Sequence, residues 1–268
     1  MRVVWIGAGN LATRLGLALK RAGHETLQVF SRTEASAVAL AGQLDCPFTC
    51  RTEEVLPGAD VYLFAVKDSV LEELAGHIAP KVGDALCLHT AGSMPMDVFR
   101  GRAARYGVLY PMQTFSKHTP VDFREIPVFL EASDASAYGL AEELARSVSG
   151  NVRAMSSADR RYLHLAAVFA CNFVNHCYAL SEEVLRQIDA PFEVMGSLID
   201  ETARKVRQTP PREAQTGPAV RYDRNVMDRQ LALLEDEPDM QAIYEAMSRS
   251  IHRLALEEKK KETDDDKL

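Results

Sequence analysis

Three small residues near the start of the chain have the spacing of a site for a diphosphate. Gly7, Gly9 and Ala12 form the pattern G-x-G-x-x-A, directly after Arg2–Ile6, a short run rich in strand-forming residues, and at the start of a helical pattern. The first glycine allows a tight turn, the second lets the backbone approach a pyrophosphate, and the third small residue keeps helix and strand close. This context predicts a dinucleotide site at the helix N-terminus. Its expected residues are Gly7, Ala8, Gly9, Asn10, Leu11 and Ala12.

The residues after the second predicted strand bear on which dinucleotide is bound. A site for NAD places an acidic residue about 20 positions beyond the glycines, where it binds the ribose 2′-hydroxyl. Here the strand is followed by Ser31, Arg32 and Thr33, and a guanidinium beside hydroxyl groups suits a 2′-phosphate. The sequence therefore predicts NADP(H). Two observations leave NAD open, since Arg32 could be an ordinary surface charge and Glu34 is adjacent to this segment.

Two later strand ends are expected to line the same cofactor, because ligands of parallel sheets lie beyond the carboxyl ends of the strands. Val66 and Lys67 follow one apolar strand, and Thr90 and Ala91 follow another. Ordinary turns at both places are the alternative interpretation.

One helix in the second half of the chain has a band of polar side chains. At about 100° per residue, His164, Asn172, Asn175 and His176 fall within roughly a third of its circumference. Most other positions are apolar, so the helix is expected to be mostly buried, and its polar groups then need partners or water. We interpret the four residues as catalytic candidates facing a cleft between two domains. Hydrogen bonds between helices or across a dimer interface are the alternative.

The residue types in this band suggest separate roles. A histidine can donate a proton near neutral pH, and an asparagine can hold a polar group of a substrate. His164 is the preferred proton donor because it lies nearer the start of the helix, and hence nearer the first domain. The segment Tyr110–Ser116, with a turn proline and several hydroxyl groups, is expected to line the same cleft.

The periodicity of the chain predicts the elements that position these residues. Strand and helix patterns alternate through the first half, which indicates a mostly parallel sheet, and from Ser156 onward the patterns are helical. The predicted fold is an α/β Rossmann domain at residues 1–153 followed by an all-helical domain for substrate binding and dimerisation at residues 154–268. The predicted strands are 2–6, 26–30, 61–66, 85–89, 108–110 and 128–131, and the predicted helices include 10–22, 34–44, 70–78, 135–148 and 157–188.

Composition argues against several classes of function. A net charge of −7 and a pI near 5.6 give no electrostatic reason to bind nucleic acid or an anionic membrane. No signal peptide is recognisable and no apolar run approaches the length of a membrane span, so a cytoplasmic location is expected. The five cysteines form no CxxC pair, which indicates reduced thiols, and no metal site is predicted.

The first half of the chain resembles the NADP-binding domain of a known superfamily. This superfamily includes pyrroline-5-carboxylate reductase, coenzyme-F420-dependent NADP oxidoreductase and 6-phosphogluconate dehydrogenase. The residues that carry the resemblance are Val4–Ala12, Ser31–Thr33 and Ala65–Asp68. Nearly the whole chain is similar to a bacterial group in which a Rossmann-like domain is fused to a helical domain called DUF2520. That closer similarity is carried by Tyr110–Ser116, His164–His176 and Thr216–Asp223.

The resemblance implies an NADPH-dependent reductase that acts on a small carbonyl or imine substrate, and a homodimer formed mainly by the helical domain. One feature departs from it. Related β-hydroxyacid dehydrogenases have the motif K-x-x-x-N on the long helix, and if Asn172 matches the asparagine, Val168 stands at the lysine position. Oxidation of 3-hydroxyacids is therefore not expected. A nucleotide-binding sensor or structural protein without turnover is the rival function, and a flavin or coenzyme F420 as hydride partner stays open.

Overall fold

The computed structural model describes residues 1–265, and side chains as far as residue 260. Contacts divide the chain into two compact units, Met1–Asn172 and the residues from Phe173 onward. The domain boundary predicted at residue 153 falls within the last strand, Val152–Ala154, whereas the contacts group this strand and the next helix with the first unit.

A single eight-stranded sheet forms the centre of the first unit. Its strands in chain order are β1 (Arg2–Ile6), β2 (Glu25–Phe30), β3 (Phe48–Thr49), β4 (Val61–Phe64), β5 (Leu86–His89), β6 (Arg105–Pro111), β7 (Val128–Ala132) and β8 (Val152–Ala154).

The order of these strands predicts where the sheet would bind a ligand, at the carboxyl ends of β1 and β4. The sheet runs β3-β2-β1-β4-β5-β6-β7-β8, and every neighbouring pair is parallel except β6 with β7. The order reverses between β1 and β4, and such sheets bind ligands at this switch point. The predicted mostly parallel sheet is confirmed, while the short strands β3 and β8 carry too little pattern to be found in the sequence.

Helices cover both faces of the sheet because its strands are apolar on both sides. In β4, Val61 and Leu63 pack into one core, and Tyr62 and Phe64 pack into the other. All four side chains are fully or almost fully buried. The helices of this unit are α1 (Asn10–Arg21), α2 (Glu34–Leu44), α3 (Asp68–Ile78), α4 (Ala135–Arg146) and α5 (Ser157–Ala167).

Every secondary-structure element among the described residues of the second unit is a helix, which confirms the predicted change of class. Its helices are α6 (Val174–Arg186), α7 (Gly196–Gln208), α8 (Pro218–Arg221), α9 (Arg224–Ala232) and α10 (Pro238–Asp265).

The long helix predicted from Ser157 onward is present but irregular. The stretch Val168–Phe173 between α5 and α6 is π-helical, with hydrogen bonds from residue i to i+5. The rotation per residue across this stretch is therefore not the roughly 100° of an α-helix. The predicted placement of the four polar residues within one arc of the helix surface does not hold here. The expectation of a mostly buried helix is also wrong for the single chain, in which Asn172, Asn175 and His176 are exposed.

The expectation that no apolar run approaches the length of a membrane span is wrong for this same helix. Over Ser157–Arg186 it is long and apolar enough, by length and composition, to cross a membrane. None of the residues in its apolar window is fully buried in the single chain. Core helices of other proteins pass the same test, and one such helix is weak grounds for a membrane span.

Candidate nucleotide site and proton-donor site

The glycine turn after β1 has the backbone that its sequence predicts. Gly7 has a φ of +116°, and a Cβ atom at this position would collide with the carbonyl group of Ala65 at the end of β4. The Gly7 N–H donates to the carbonyl oxygen of Phe30, 2.8 Å away, at the end of β2. Only glycine fits here, because the turn lies against the ends of both strands that flank β1.

The start of α1 is open to an anion. Gly9 is the N-cap residue and no side chain caps the helix among the described residues, so backbone N–H groups of the first turn are available to a ligand. A Cβ atom on Gly9 would meet nothing within 4 Å, so the space above the turn is free. These features fit a pyrophosphate, whose charge is stabilised by the N–H groups and the helix dipole.

A cleft of about 340 Å³ lies over this turn and collects most of the predicted cofactor residues. Ser31, Arg32 and Thr33 line it on one side, and Val66 and Lys67 line it from the end of β4. The cleft also contains a residue that the sequence did not indicate, and none of its lining residues is acidic. The cleft is also lined by the glycine-turn residues Gly7, Ala8 and Gly9. The residue that the sequence did not indicate is Lys117.

Three residues of the predicted glycine motif have other roles for their side chains. Ala12 is buried beneath the turn and Leu11 packs against the core, which matches the need for close approach of helix and sheet. The Asn10 side-chain amide donates to the carbonyl oxygen of Phe115, 2.8 Å away. Asn10 therefore ties a later segment to the start of α1, and only its backbone remains for a cofactor.

Thr90 and Ala91 lie in the loop after β5, and a buried histidine fixes their position. His89 accepts a hydrogen bond from the Ala91 N–H through Nδ1 (3.1 Å), and its Nε2 lies 3.2 Å from the carbonyl oxygen of Pro95. With Nδ1 as acceptor, Nε2 is the donor, so the ring is neutral. Burial, assisted by the charge of Arg160, lowers the pKa of His89 to about 3. His89 is therefore a structural residue and not an acid catalyst.

A buried arginine from α5 holds the other side of this loop. The Arg160 guanidinium is 1% exposed and donates to the carbonyl oxygens of Ala91 (3.3 Å) and Met94 (2.5 Å). It also forms an ion pair with Glu131 on β7 at 2.8 Å, and both side chains bond to Ser157. Burial by itself raises the pKa of Glu131, but hydrogen bonds from Ser157 and Arg160 outweigh it and hold the pKa below its usual value. The cluster attaches α5 to the loop.

This attachment brings His164, one turn further along α5, against the loop and against β6. The Tyr110 hydroxyl lies 3.1 Å from Nδ1 of His164, and the two rings meet edge to face. A Cβ atom on Gly92 would stand 2.5 Å from the same nitrogen, so a glycine is required beside the imidazole. Burial raises the pKa of Tyr110, although the charge of Arg160 opposes this. His164 and Tyr110 therefore form a hydrogen-bonded pair beside the end of β5.

The other residues of the predicted polar band are not brought to this pair by any described contact. Asn172 is exposed in the π-helical stretch, at the last position of the first unit, whereas Asn175 and His176 belong to the second unit. Within the described residues, no group of three His, Cys, Asp or Glu could hold a metal ion, and all five cysteines are free.

Sequence reasoning missed three residues of this region. Lys117 lies outside the helices and strands and carries no motif. Arg160 and Glu131 are charged residues whose burial and pairing across 29 positions have no local signal. Tyr110 was expected near the cleft, but its contact with His164 depends on how α5 packs on the sheet.

Comparisons with known proteins agree with this architecture. Residues 2–87 match the family model for coenzyme F420-dependent NADP oxidoreductases, and residues 126–251 match the domain of unknown function DUF2520. Both parts of the resemblance drawn from the sequence are confirmed. No protein with a curated functional description matches the chain.

Among solved structures, the putative NADP oxidoreductase BF3122 from Bacteroides fragilis is 50% identical, with a TM-score of 0.91, over 94% of this chain and 98% of that one. An imine reductase from Myxococcus stipitatus in complex with NADP+ is 18% identical, with a TM-score of 0.64, over 96% and 94% of the two chains. A pyrroline-5-carboxylate reductase from Coxiella burnetii is 18% identical, with a TM-score of 0.54, over 95% and 97%. The last two share the fold.

Proposed function

Because the chain belongs to the NADP oxidoreductase family of the Bacteroides fragilis protein, we propose that it transfers a hydride from NADPH to a small carbonyl or imine substrate. The observation that carries the proposal is the contact of His164 with Tyr110 and Gly92 at the end of β5. In a parallel sheet, this edge is where the reactive end of a dinucleotide and its substrate are expected.

The two parts of the site have separate roles, cofactor binding and proton donation. The glycine turn and Arg32 bind the adenosine half of the cofactor, as their common cleft supports. When bound, NADPH supplies the hydride, and the protein orients the substrate and handles the proton. His164 would donate that proton to the carbonyl oxygen or imine nitrogen of the substrate, and the Tyr110 hydroxyl, 3.1 Å from its Nδ1, would hold the imidazole in place. Asn172, Asn175 and His176 remain candidates for holding the substrate's polar group.

The test is NADPH oxidation with a panel of keto acids, aldehydes and cyclic imines. At least one of them should oxidise NADPH, and His164→Ala should lower turnover about 10²–10⁴-fold, the usual contribution of a general acid. Its affinity for NADPH should stay nearly unchanged, because His164 lies outside the cleft proposed to bind the adenosine half of the cofactor. Tyr110→Phe should lower turnover and shift its pH profile, while Tyr138→Phe, a partly buried tyrosine on α4, serves as the matched control.

Two outcomes would contradict parts of this proposal. Activity that survives His164→Ala would remove this residue from the mechanism. Tight NADPH binding with no oxidation across the panel would favour the rival function, a nucleotide-binding sensor, for which Val168 at the family's lysine position is the favouring observation.

We propose further that two copies associate through the helical domain, residues 154–268, in the cytoplasm. Large apolar side chains stand exposed in the second unit, including Ile188 (73%), Leu198 (62%) and Leu233 (83%). Exposed apolar surface of this kind commonly marks a protein interface. A second copy of the chain would bury this apolar surface, so that no membrane is needed to cover it. Two-fold dimers are the commonest oligomers.

A further inference from the structure

A short segment after β6 is fastened to the start of α1. Asn10 donates to the carbonyl oxygen of Phe115, and Arg14 donates through Nε to that of Ser116, both at 2.8 Å. A second nitrogen of Arg14 donates to the carbonyl oxygen of Lys117. Asn10 and Arg14 lie four residues apart and therefore share one face of the helix. We call the segment Phe115–Lys117 the strap.

The strap is also fixed at its first residue. The ring of Phe115 stacks on that of Phe123 with centroids 5.6 Å apart and an angle of 16° between the planes. Three consecutive carbonyl groups and one aromatic ring are thus held, so the direction of the strap past the helix N-terminus is defined. This is an unusual degree of fixation for a segment outside helices and strands.

The last residue of the strap reaches the nucleotide cleft. Lys117 is partly buried and lines the cleft together with Gly7, Gly9 and Arg32. Within the described part of the chain, no carboxylate lies within ion-pair distance of Lys117, Arg32 or Lys67. Elsewhere in the described residues, 12 of the other 21 arginines form ion pairs with carboxylates, and Lys20 contacts Asp45 at 2.5 Å.

Three cations around one small cleft without an acid repel one another, and they indicate that the natural occupant is an anion. The adenosine half of NADP carries a 2′-phosphate and a pyrophosphate. We propose that Lys117, carried by the strap, binds a phosphate of this half and acts with Arg32 to hold it. The proposal rests on NADP binding in the function proposed above, and it is independent of hydride transfer.

The experiment is calorimetric titration of the purified full chain with NADP+ and NAD+. Lys117→Gln should weaken NADP+ binding about tenfold, the lower range for a charge-assisted hydrogen bond because Lys117 is partly exposed. Lys81→Gln, an exposed lysine outside the cleft, should change neither affinity. A loss for NADP+ alone assigns Lys117 to the 2′-phosphate, and an equal loss for both nucleotides assigns it to the pyrophosphate. Unchanged affinities for both would overturn the proposal.

A second pair of variants tests the strap itself. Arg14→Ala should weaken NADP+ binding several-fold, because it removes the bonds that direct Lys117. In the Lys117→Gln background, the same change should cost almost nothing, since the two residues act in series. Fully additive losses would show that Arg14 acts independently and would overturn the role of the strap. Failure of every substrate in the reductase panel would leave these binding results unaffected.

Discussion

Replacing Arg160 by methionine is the sharpest perturbation of the first unit. Methionine fills a similar apolar volume but has no donor, so the change removes the ion pair to Glu131 and the bonds to the carbonyl groups of Ala91 and Met94. The Glu131 carboxylate, 18% exposed, then keeps Ser157 as its side-chain donor. An almost buried charge without its counter-ion is the expected main cost.

The magnitude follows from that burial. Removing one partner of a buried ion pair typically costs about 3–5 kcal/mol, and the bond from Ser157 together with partial exposure places this case near 3 kcal/mol. The pKa of Glu131 is depressed in the folded protein, so the pair contributes stability above the unfolded pKa that is lost as pH falls. The difference between wild type and Arg160→Met should therefore shrink as pH falls below about 4.5.

Urea unfolding at neutral and acidic pH measures both effects. Arg161→Met, at the exposed neighbouring position, is the matched control and should change the free energy of unfolding by about 0.5 kcal/mol or less. Adding Glu131→Gln to Arg160→Met should recover part of the loss, because the unpaired charge is gone. A loss below about 1 kcal/mol for Arg160→Met at neutral pH would refute the reasoning.

Three more predictions concern pH, cofactor choice and assembly. Burial lowers the pKa of His89 to about 3 in the folded protein, whereas in the unfolded chain the residue takes up a proton below its ordinary pKa of 6.5. The free energy of unfolding should then fall by about 1.4 kcal/mol between pH 7.5 and 5.5, a dependence that His89→Asn removes in urea titrations. Arg32→Ala should weaken NADP+ binding by about 1.5–3 kcal/mol in calorimetry and leave NAD+ unchanged, and equal binding of both nucleotides by wild type would contradict this. Light scattering at micromolar concentration, without detergent, should give twice the chain mass of 29.7 kDa, and a monomer would exclude the dimer.

The parts of the fold that repeat a local pattern were predictable from sequence. The turn between β1 and α1 needs Gly7 and Gly9 at fixed positions, and helix α2 was predicted with its observed ends, Glu34–Leu44. Strand β4 was found because a strand covered on both faces reads as an uninterrupted apolar run. These features depend on neighbouring residues, which the sequence shows directly.

The parts that depend on distant packing were not predictable. The sequence gives no sign of the π-helical stretch Val168–Phe173. The positions of the polar residues around the helix were inferred with about 3.6 residues per turn, and this inference fails where the helix is wider. Arg160 and Glu131 are charged residues of types usually found at the surface, and only the docking of α5 reveals their pairing. Lys117 reaches the cleft because Asn10 and Arg14 hold its backbone more than a hundred positions away.

The most direct test of the account is a crystal structure of the protein with NADP+ bound. The adenosine half should occupy the cleft over the glycine turn, with the 2′-phosphate beside Arg32. The nicotinamide ring should lie beside the end of β5, with the His164 side chain within several ångströms of its reactive carbon. A nicotinamide ring far from His164 and Tyr110, or a His164 side chain enclosed in a helix–helix contact, would contradict the proposed active site.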